Sequence, residues 1–394
     1  MYLPRVRPML SDKVFEIEPG VQAHFGCGSV EKLPRAVRAL ERERAILVTD
    51  PGVEQAGVVS KLKGTLEADG ILVEISAAPR RIPSGDRVAT LVARVQREPR
   101  SAIVAVGGGS VIDTAKAVAL LAPNGGSVSD FPPGCRPARP GLPVIAIPTT
   151  AGSGSETNMF AHLLDPRTQR LIVIGHQSVL PARVVLDPEL SLSLPPDVTA
   201  TTGFDALTHA IEAFTSNRHN PFSDALALRA IAAIATYLPR AHDSGSDIEA
   251  RSQMCFAAHL AGLGFGSSGL GLCHAMAHGL SARLDVTHGQ ALAALLPHVM
   301  RFNFGICEAR YAQIAIALGV AAPGVSDAEN AHRAISELER LTERVGLRRS
   351  ATELGVDRRL CAVLAQDAMA DVVLSATPRF PDANDVLALY EAAL

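Results

Sequence analysis

Short apolar runs alternate with helix-like segments over the first half of the chain. Segments such as 53–70 and 86–100 have apolar residues at helical spacing, and they lie between runs that are apolar throughout. Strands buried on both faces have this continuous apolar character, which is typical of a parallel sheet covered by helices. We therefore predict five strands, at residues 45–50, 71–76, 102–110, 143–150 and 182–190.

The strand pattern disappears beyond about residue 195, where the pair Pro195-Pro196 interrupts regular structure. Ala- and Leu-rich segments with helical spacing follow, at 200–214, 224–238, 249–265 and 329–346. The pattern thus predicts an α/β domain of residues 1–195 and an all-helical domain of residues 196–394.

Composition and charge exclude several classes of protein. The 394 residues include 37 Lys and Arg against 40 Asp and Glu, a formal net charge of -3, and the chain has 0 Trp and 4 Tyr. A near-neutral chain with so few aromatic residues is neither an electrostatic nucleic-acid binder nor a base-stacking platform. The 6 cysteines are scattered without a Cys-x-x-Cys motif, which favours reduced thiols.

We also expect a cytoplasmic protein that binds no membrane. The first residues contain no apolar stretch of the kind found in a secretory leader. The most apolar stretch, residues 102–122, contains three consecutive glycines, Asp113 and Lys116, and so indicates a strand, a turn and a helix rather than a membrane span.

A glycine-rich turn follows the strand that begins at residue 102. Gly107, Gly108 and Gly109 allow backbone N–H groups to approach an anion without a Cβ in the way. The helix that follows adds its dipole and its unpaired donors, so the turn is suited to a pyrophosphate. The pattern is neither GxGxxG nor a P-loop, and a capping box of Ser110 and Asp113 is the alternative interpretation of those two residues.

Two further features at strand ends point to a nucleotide. Asp50 ends the first predicted strand, where a carboxylate can accept hydrogen bonds from adenosine ribose and repel a 2′-phosphate. An Asp that starts the turn Asp-Pro-Gly is the alternative. The loop at 148–156 again places small and hydroxyl residues after a strand. Together these loops predict a nucleotide-sized ligand at the edge of the sheet.

Histidines and one aspartate have the spacing of metal ligands in the helical half. Asp205 and His209 are separated by one helical turn, as are His274 and His278, and His288 follows. A divalent metal takes three or four N or O ligands from different elements. Asp205, His209 and two or three of the other histidines would supply them for Fe²⁺ or Zn²⁺, and spacing alone does not decide whether His278 is a ligand.

The remaining candidates in this region are interpreted as structural. His259 and His298 have no partner at ligand spacing. Cys273 precedes His274 but would face another direction on a helix, so we expect it in the core.

Several longer motifs occur in order along nearly the whole chain. Together they resemble the iron-containing (group III) alcohol dehydrogenase family. The segments that carry the likeness are FGCGSV (25–30), VTD (48–50), GGGSVIDTAKAVA (107–119), PTTAGSGSET (148–157), LDPEL (186–190), TGFDALTHAIEAF (202–214), NPFSDALAL (220–228), CHAMAHGL (273–280) and HGQALAALLPHVMRFN (288–303).

The resemblance implies a fold and a set of residue roles. The fold would be an N-terminal Rossmann-like dinucleotide-binding domain and a C-terminal helical metal-binding domain, as in dehydroquinate synthase-like proteins, with the ligand in the cleft between them. His278 would lie toward the nicotinamide and substrate as a catalytic residue. The metal ligands would be Asp205, His209, His274 and His288. The cofactor contacts would be Asp50, Gly107, Gly108, Gly109, Ser110, Asp113, Thr149, Thr150 and Ser153.

Two positions depart from the family pattern. The family commonly has Asn-Pro where this chain has Ile82-Pro83, and it usually has a lysine near the position where this chain has Arg170. The change at Ile82 affects one expected cofactor contact. Arg is not equivalent to Lys as a point donor, so the change at Arg170 bears on the identity of the substrate.

The activity implied is the interconversion of a small alcohol and its aldehyde or ketone by NAD(H), with one metal as Lewis acid on the substrate oxygen. Fe²⁺ is expected, with Zn²⁺ as the alternative, and a homodimer or larger homo-oligomer is expected from the family. Alternative activities on the same fold are those of a hydroxyacid–oxoacid transhydrogenase, a 4-hydroxybutyrate dehydrogenase and a maleylacetate reductase. A non-catalytic nucleotide-binding protein is the alternative of another class. A sugar-phosphate cyclising enzyme would need phosphate-binding cations near the metal, and no Lys follows Lys116.

Overall fold

The computed structural model describes residues 20–78, 83, 85–165 and 170–394, without the side chains of residues 85–87 and 170. In this part of the chain six strands form one parallel sheet, and two form an antiparallel ribbon. The strands are β1 (Ala23–Phe25), β2 (Arg44–Thr49), β3 (Leu72–Ala77), β4 (Ala102–Gly107), β5 (Val144–Pro148), β6 (Phe160–Asp165), β7 (Arg170–Gly175) and β8 (Arg183–Leu186).

The sheet has the order β1-β8-β5-β4-β2-β3, and every neighbouring pair is parallel. All residues of β4 and β5 are buried, as expected for central strands with helices on both faces. Because the strands are parallel, their carboxyl ends meet at one edge. The residues that follow β2, β4 and β5 therefore lie along the same side of the sheet.

Most of the remaining regular structure in the described chain is α-helical. They are α1 (Leu33–Arg38), α2 (Pro51–Gln55), α3 (Val58–Ala68), α4 (Gly85–Val95), α5 (Gly109–Asn124), α6 (Pro196–Thr215), α7 (Pro221–Asp243), α8 (Ile248–Ser268), α9 (Leu272–Arg283), α10 (His288–Ala317), α11 (Asp327–Arg344), α12 (Arg358–Met369) and α13 (Ala383–Ala392). The first five cover the sheet, and the other eight pack on one another.

The five predicted strands and the predicted parallel sheet are confirmed, as is the helical character of the second half. Two features differ from the prediction. The segment predicted as one helix at 53–70 forms α2 and α3, because Gly57 between them adopts a left-handed conformation with φ of +77°. The strand β1 and the ribbon β6–β7 were not predicted, since β1 is short and the ribbon follows a polar loop.

The hydrophobic core is divided in the same way as the secondary structure. One cluster lies wholly within the helical half, between Ala200 and Ala393. Two others cover opposite faces of the sheet, and Cys255 is their one contribution from the helical half. This separation supports the proposed domain boundary after residue 195.

Two parts of the helical half, α7 and the bent pair α8–α9, are long and apolar enough to cross a membrane by length and composition alone. Core helices pass the same test. The buried faces of α7, α8 and α9 belong to the helical core, in which α7 packs on α6 and α8.

Candidate metal centre and cofactor edge

Three helices bring one carboxylate and three imidazoles together. Asp205 and His209 lie one turn apart on α6, His274 is in the first turn of α9, and His288 is the first residue of α10. The Nε2 atoms of His209, His274 and His288 lie 3.6, 3.7 and 3.8 Å from Oδ1 of Asp205. The structure thus places all three imidazoles within 4 Å of one carboxylate oxygen. The ligand atoms of Asp205, His209 and His274 also lie within 4.8 Å of one another.

Three side-chain atoms of these residues are buried without any hydrogen-bond partner among the described residues: Oδ1 of Asp205, Nε2 of His274 and Nδ1 of His209. The first two are the pair that lies between the candidate ligands, 3.7 Å apart. An unsatisfied buried polar atom costs about 1–3 kcal/mol, so a protein retains such a pair only where something else satisfies it. A carboxylate with three imidazoles is a donor set that divalent iron and zinc accept. The residues present therefore fit a divalent cation.

At Asp205, His209 and His288 the electrostatics favour the forms that bind a cation. Burial would raise the pKa of Asp205, but the neighbouring imidazoles of His209, His274 and His288 hold it far below its usual range. Burial lowers the pKa of His209 to about 4, against the attraction of Asp205. Burial also holds the pKa of His288 well below its usual value. At neutral pH the cluster therefore offers a carboxylate and at least two neutral imidazoles.

Glu212 is a residue of this centre that the sequence analysis missed. Its carboxylate accepts hydrogen bonds from Nδ1 of His274 at 2.6 Å and from the backbone N–H groups of Gly271 and Cys273 at 2.9 and 2.7 Å. Burial opposes the charge on His274, but Glu212 and Asp205 raise the pKa of His274 to about 9. With Nδ1 donating to Glu212, Nε2 is directed at the cluster, as in many carboxylate–histidine–metal arrangements.

The signal for Glu212 was present in the sequence. It follows His209 by three residues, so Asp205, His209 and Glu212 share one face of α6. A buried carboxylate on a face that already carries two candidate ligands is the kind of group that orients a ligand from behind.

His278 lies beside the cluster rather than in it. Its Nδ1 is 2.7 Å from Oδ2 of Asp371, and its ring centroid is 5.3 Å from that of His288. On the other side the ring of His162, on β6, lies 5.2 Å away. His278 therefore stands where the helical half faces the ribbon β6–β7.

The residues proposed to contact the cofactor lie at the carboxyl edge of the sheet. The backbone N–H of Thr149 donates to the carbonyl of Gly107 at 3.1 Å, which joins the loops after β4 and β5. A Cβ on Gly109 would lie 2.6 Å from Oγ of Ser153, and one on Gly108 would lie 3.2 Å from Oγ1 of Thr150. Only glycines allow the two loops to approach this closely.

Asp50 lies at the same edge, directly after β2, and caps α2. Its Oδ1 accepts hydrogen bonds from the backbone N–H groups of Gly52 and Val53, at 2.7 and 3.2 Å. The alternative interpretation, an Asp that starts a turn, is therefore realised. It does not conflict with a ribose contact, because a carboxylate accepts several hydrogen bonds.

The capping box proposed for Ser110 and Asp113 is wrong. Helix α5 begins at Gly109 with Gly108 as its N-cap, and no side chain of the described residues caps it. Asp113 instead accepts hydrogen bonds from Oγ of Ser155 and, at 2.9 Å, from the backbone N–H of His162. Its carboxylate thus fastens the connection between β5 and β6 from behind the glycine turn. Its contact with a cofactor stays a prediction.

The other residues singled out in the sequence are accounted for as follows. His259 donates from Nδ1 to Oε1 of Glu156 at 3.0 Å, both being buried, which agrees with a structural role. Cys273 is buried in the helical core as expected, and all six cysteines lie in the described part as free thiols. Ile82 and the side chain of Arg170 lie outside the described residues.

Comparison with known proteins agrees with this combination of fold and donor set. The family model described as Iron-containing alcohol dehydrogenase matches residues 20–188. The model described as Fe-containing alcohol dehydrogenase family, C-terminal, matches residues 199–394. The probable alcohol dehydrogenase EutG of Salmonella typhimurium is 39% identical over 385 residues, which cover 97% of this chain and 94% of that protein.

Two further similarities are of the same kind. The NAD-dependent methanol dehydrogenase of Bacillus methanolicus is 35% identical over 370 residues, covering 94% of this chain and 97% of that protein. The crystal structure of a 1,3-propanediol oxidoreductase superimposes with a TM-score of 0.93 at 34% identity, covering 97% of this chain and 100% of that chain.

The α/β sheet domain, the helical domain and the donor set thus define an oxidoreductase of the alcohol dehydrogenase type. The chain belongs to the iron-containing alcohol dehydrogenase family, as its sequence motifs indicated.

Proposed function

We propose that this enzyme interconverts a small alcohol and its aldehyde or ketone with NAD(H), using one divalent metal held by Asp205, His209, His274 and His288. The observation that carries the proposal is the pair of buried, unpartnered atoms at the centre of this cluster, Oδ1 of Asp205 and Nε2 of His274. We propose Fe²⁺ as the metal, with Zn²⁺ as the alternative that the same donors accept.

When bound, the cation supplies Lewis acidity toward the substrate oxygen and NAD(H) carries the hydride. The chain itself supplies positioning and a path for the proton. Asp371 accepts a hydrogen bond from Nδ1 of His278, which leaves Nε2 of His278 as a proton acceptor. Burial lowers the pKa of His278 despite the attraction of Asp371, so the ring is neutral near pH 7 and able to take up the alcohol proton.

The carboxyl edge of the sheet is proposed to hold the dinucleotide. The backbone N–H groups around Gly108 and Gly109 lie at the start of α5, whose sixteen residues make a full helix dipole available to a pyrophosphate. Thr149, Thr150 and Ser153 line the facing loop. One relative of this chain is named as an NAD-dependent methanol dehydrogenase, which supports NAD as the cofactor proposed here.

The proposal is tested by removing and restoring the metal. Purified protein is assayed for NADH formation from ethanol and n-butanol before chelation, after chelation, and after addition of Fe²⁺ or Zn²⁺. We expect activity to disappear with the metal and to return with Fe²⁺. Unchanged turnover in protein shown by elemental analysis to be metal-free would contradict the role of the cluster.

The cofactor preference is tested at Asp50. Because Ser is also a good N-cap, Asp50→Ser removes the charge while keeping the start of α2. We expect the ratio of kcat/KM for NADP to that for NAD to rise by about tenfold or more, since the variant no longer repels a 2′-phosphate. As a control, the thermal unfolding temperature of the protein should be unchanged. A wild-type enzyme that already prefers NADP would contradict the role given to Asp50.

We further propose that the enzyme works in the cytoplasm as a homodimer or larger homo-oligomer, without nucleic-acid or membrane partners. The near-neutral charge of -3 supports the first exclusion. Size-exclusion chromatography with light scattering measures the oligomeric state directly.

A further inference from the structure

A cavity of about 290 Å³ lies beside His278. Residues 171–174 of β7 form one wall, the segment around Pro132 and Pro133 forms a second, and residues 370–372 form a third. Apart from Ser129, His278 and Asp371, all residues that line it are apolar. Its volume is close to the lower limit for small-molecule sites, which lie at roughly 300–1,000 Å³.

The cavity connects the protein surface with the proposed catalytic histidine. His278 is 6% exposed, whereas Val372, which also lines the cavity, is 61% exposed. Pro132, Pro133 and Ala370 are exposed as well. A molecule in the cavity would therefore contact His278 as well as residues at the protein surface.

The cavity is separate from the proposed dinucleotide site. None of the residues proposed to contact the cofactor at the carboxyl edge of the sheet is among the described residues that line it. The residues it shares with the proposed reaction are His278 and its hydrogen-bond partner Asp371. This continuity with the reacting end, and not with the cofactor end, indicates what the cavity holds.

In the wall formed by β7, the side chain of Val173 lies on the face turned toward His278. Val173 is directly opposite His162 in the ribbon β6–β7, so the two side chains share a face. The ring of His162 contacts that of His278, which places this face toward α9. Ile172 and Ile174, which also border the cavity, pack against a hydrophobic cluster of the sheet.

We propose that this cavity binds the carbon chain of the substrate, so that aliphatic alcohols of medium length are preferred to methanol and ethanol. The inference rests on the proposed function, because it places the hydroxyl group at the metal ligands next to His278. Each methylene moved from water into an apolar site stabilises the complex enough to raise kcat/KM about fourfold, provided the transition state retains the contact.

The test is a chain-length series with the metal-loaded enzyme and NAD. We expect kcat/KM to rise about fourfold per methylene from ethanol over the first few carbons and then to level off by n-octanol. Val173→Phe should lower the ratio of kcat/KM for n-hexanol to that for ethanol by about tenfold or more, because the added ring occupies the cavity. Val173→Ala should move the optimum to longer alcohols.

Leu72→Phe is the matched control, since Leu72 is a solvent-exposed apolar residue on β3, at the far edge of the sheet. This variant should leave the whole series unchanged. If Val173→Phe does not fold, the shift in Val173→Ala decides.

A flat series in the wild type, or an unmoved optimum in Val173→Ala, would overturn the assignment of the cavity while leaving alcohol oxidation itself in place. If no alcohol of any length is oxidised by metal-loaded protein, the proposed function fails instead.

Discussion

The two halves of the proposed active site are built differently, since side chains form the metal centre and backbone groups form the cofactor edge. At the metal centre, side chains on α6, α9 and α10 converge, and the chemistry depends on carboxylate and imidazole groups at fixed helical spacing. At the cofactor edge, backbone groups of two loops meet, and what matters is the lack of side chains at Gly108 and Gly109. A substitution should therefore act by removing a ligand at the first site and by steric exclusion at the second.

The largest effect is expected from His274→Ala. The variant should lose bound metal and lower kcat/KM by roughly a thousandfold or more, because several kcal/mol of transition-state stabilisation depend on the cation. Elemental analysis and NADH formation measure the two losses. His298→Ala changes another histidine of α10, two turns or more from the cluster, and should keep both metal and activity. If His274→Ala bound as much metal as the wild type, the ligand assignment would be contradicted.

A smaller effect at the same centre is expected from Glu212→Gln. The amide keeps the size of the side chain but no longer fixes Nδ1 of His274 as a charged acceptor, so metal affinity should fall about 10- to 100-fold. Competition with a chelating dye measures the affinity without reference to turnover. Glu156→Gln is the matched control, because Glu156 is also buried and paired with a histidine, His259, outside the cluster. Equal metal affinity in the two variants would contradict the role given to Glu212.

At the cofactor edge, Gly109→Ala tests the steric argument. The added methyl group would lie 2.6 Å from Oγ of Ser153, so the loops must separate and NADH affinity should fall about tenfold. Fluorescence titration with NADH gives the affinity, and metal content should not change. Gly64→Ala on α3, where an added Cβ meets no atom within 4 Å, is the control. Loss of metal in Gly109→Ala would show that the two sites are not independent.

The smallest effect concerns Lys116, which supports the cofactor edge from the interior. Its ammonium donates to the carbonyls of Ser155 and Phe160, both at 2.6 Å. Burial lowers the pKa of Lys116 from 10.5 to about 8, although Asp113 and Glu156 act in the opposite direction. Between these two pH values the unfolded chain binds more protons than the folded one, so this group makes the free energy of unfolding rise with pH.

Lys116→Met should remove that contribution. Denaturant unfolding of both proteins between pH 8 and 10.5 measures it. The free energy of unfolding of the wild type minus that of the variant should increase with pH across this window. A constant difference would mean that the ammonium has an ordinary pKa in the folded state.

Much of the fold followed from sequence pattern alone, because central parallel strands are apolar throughout and core helices have regular spacing. The ribbon β6–β7 did not, since its strands are stabilised by their packing beside α5 and α9 rather than by a pattern of their own. The split between α2 and α3 was missed because an isolated glycine is tolerated inside a helix, so Gly57 alone did not mark an end.

The candidate metal centre was predictable for a related reason. Two pairs of residues one turn apart, Asp205 with His209 and His274 with His278, marked the region, and the choice of His288 rather than His278 as the fourth ligand came from the family resemblance. The structure brings Asp205, His209, His274 and His288 together. The part taken by Glu212 depends on α9 beginning beside α6, which no spacing within one helix reveals. The capping box at Ser110 and Asp113 failed because tertiary partners, Ser155 and His162, bind the carboxylate instead.

The most direct test is a crystal structure of the iron-loaded protein with NADH, using anomalous scattering to locate the metal. We predict one anomalous peak within about 2.0–2.3 Å of an oxygen of Asp205 and of Nε2 in each of His209, His274 and His288, on the side of the cleft that faces the nicotinamide. A peak at other residues would contradict the account. So would the absence of a peak between these four side chains in protein shown to contain iron.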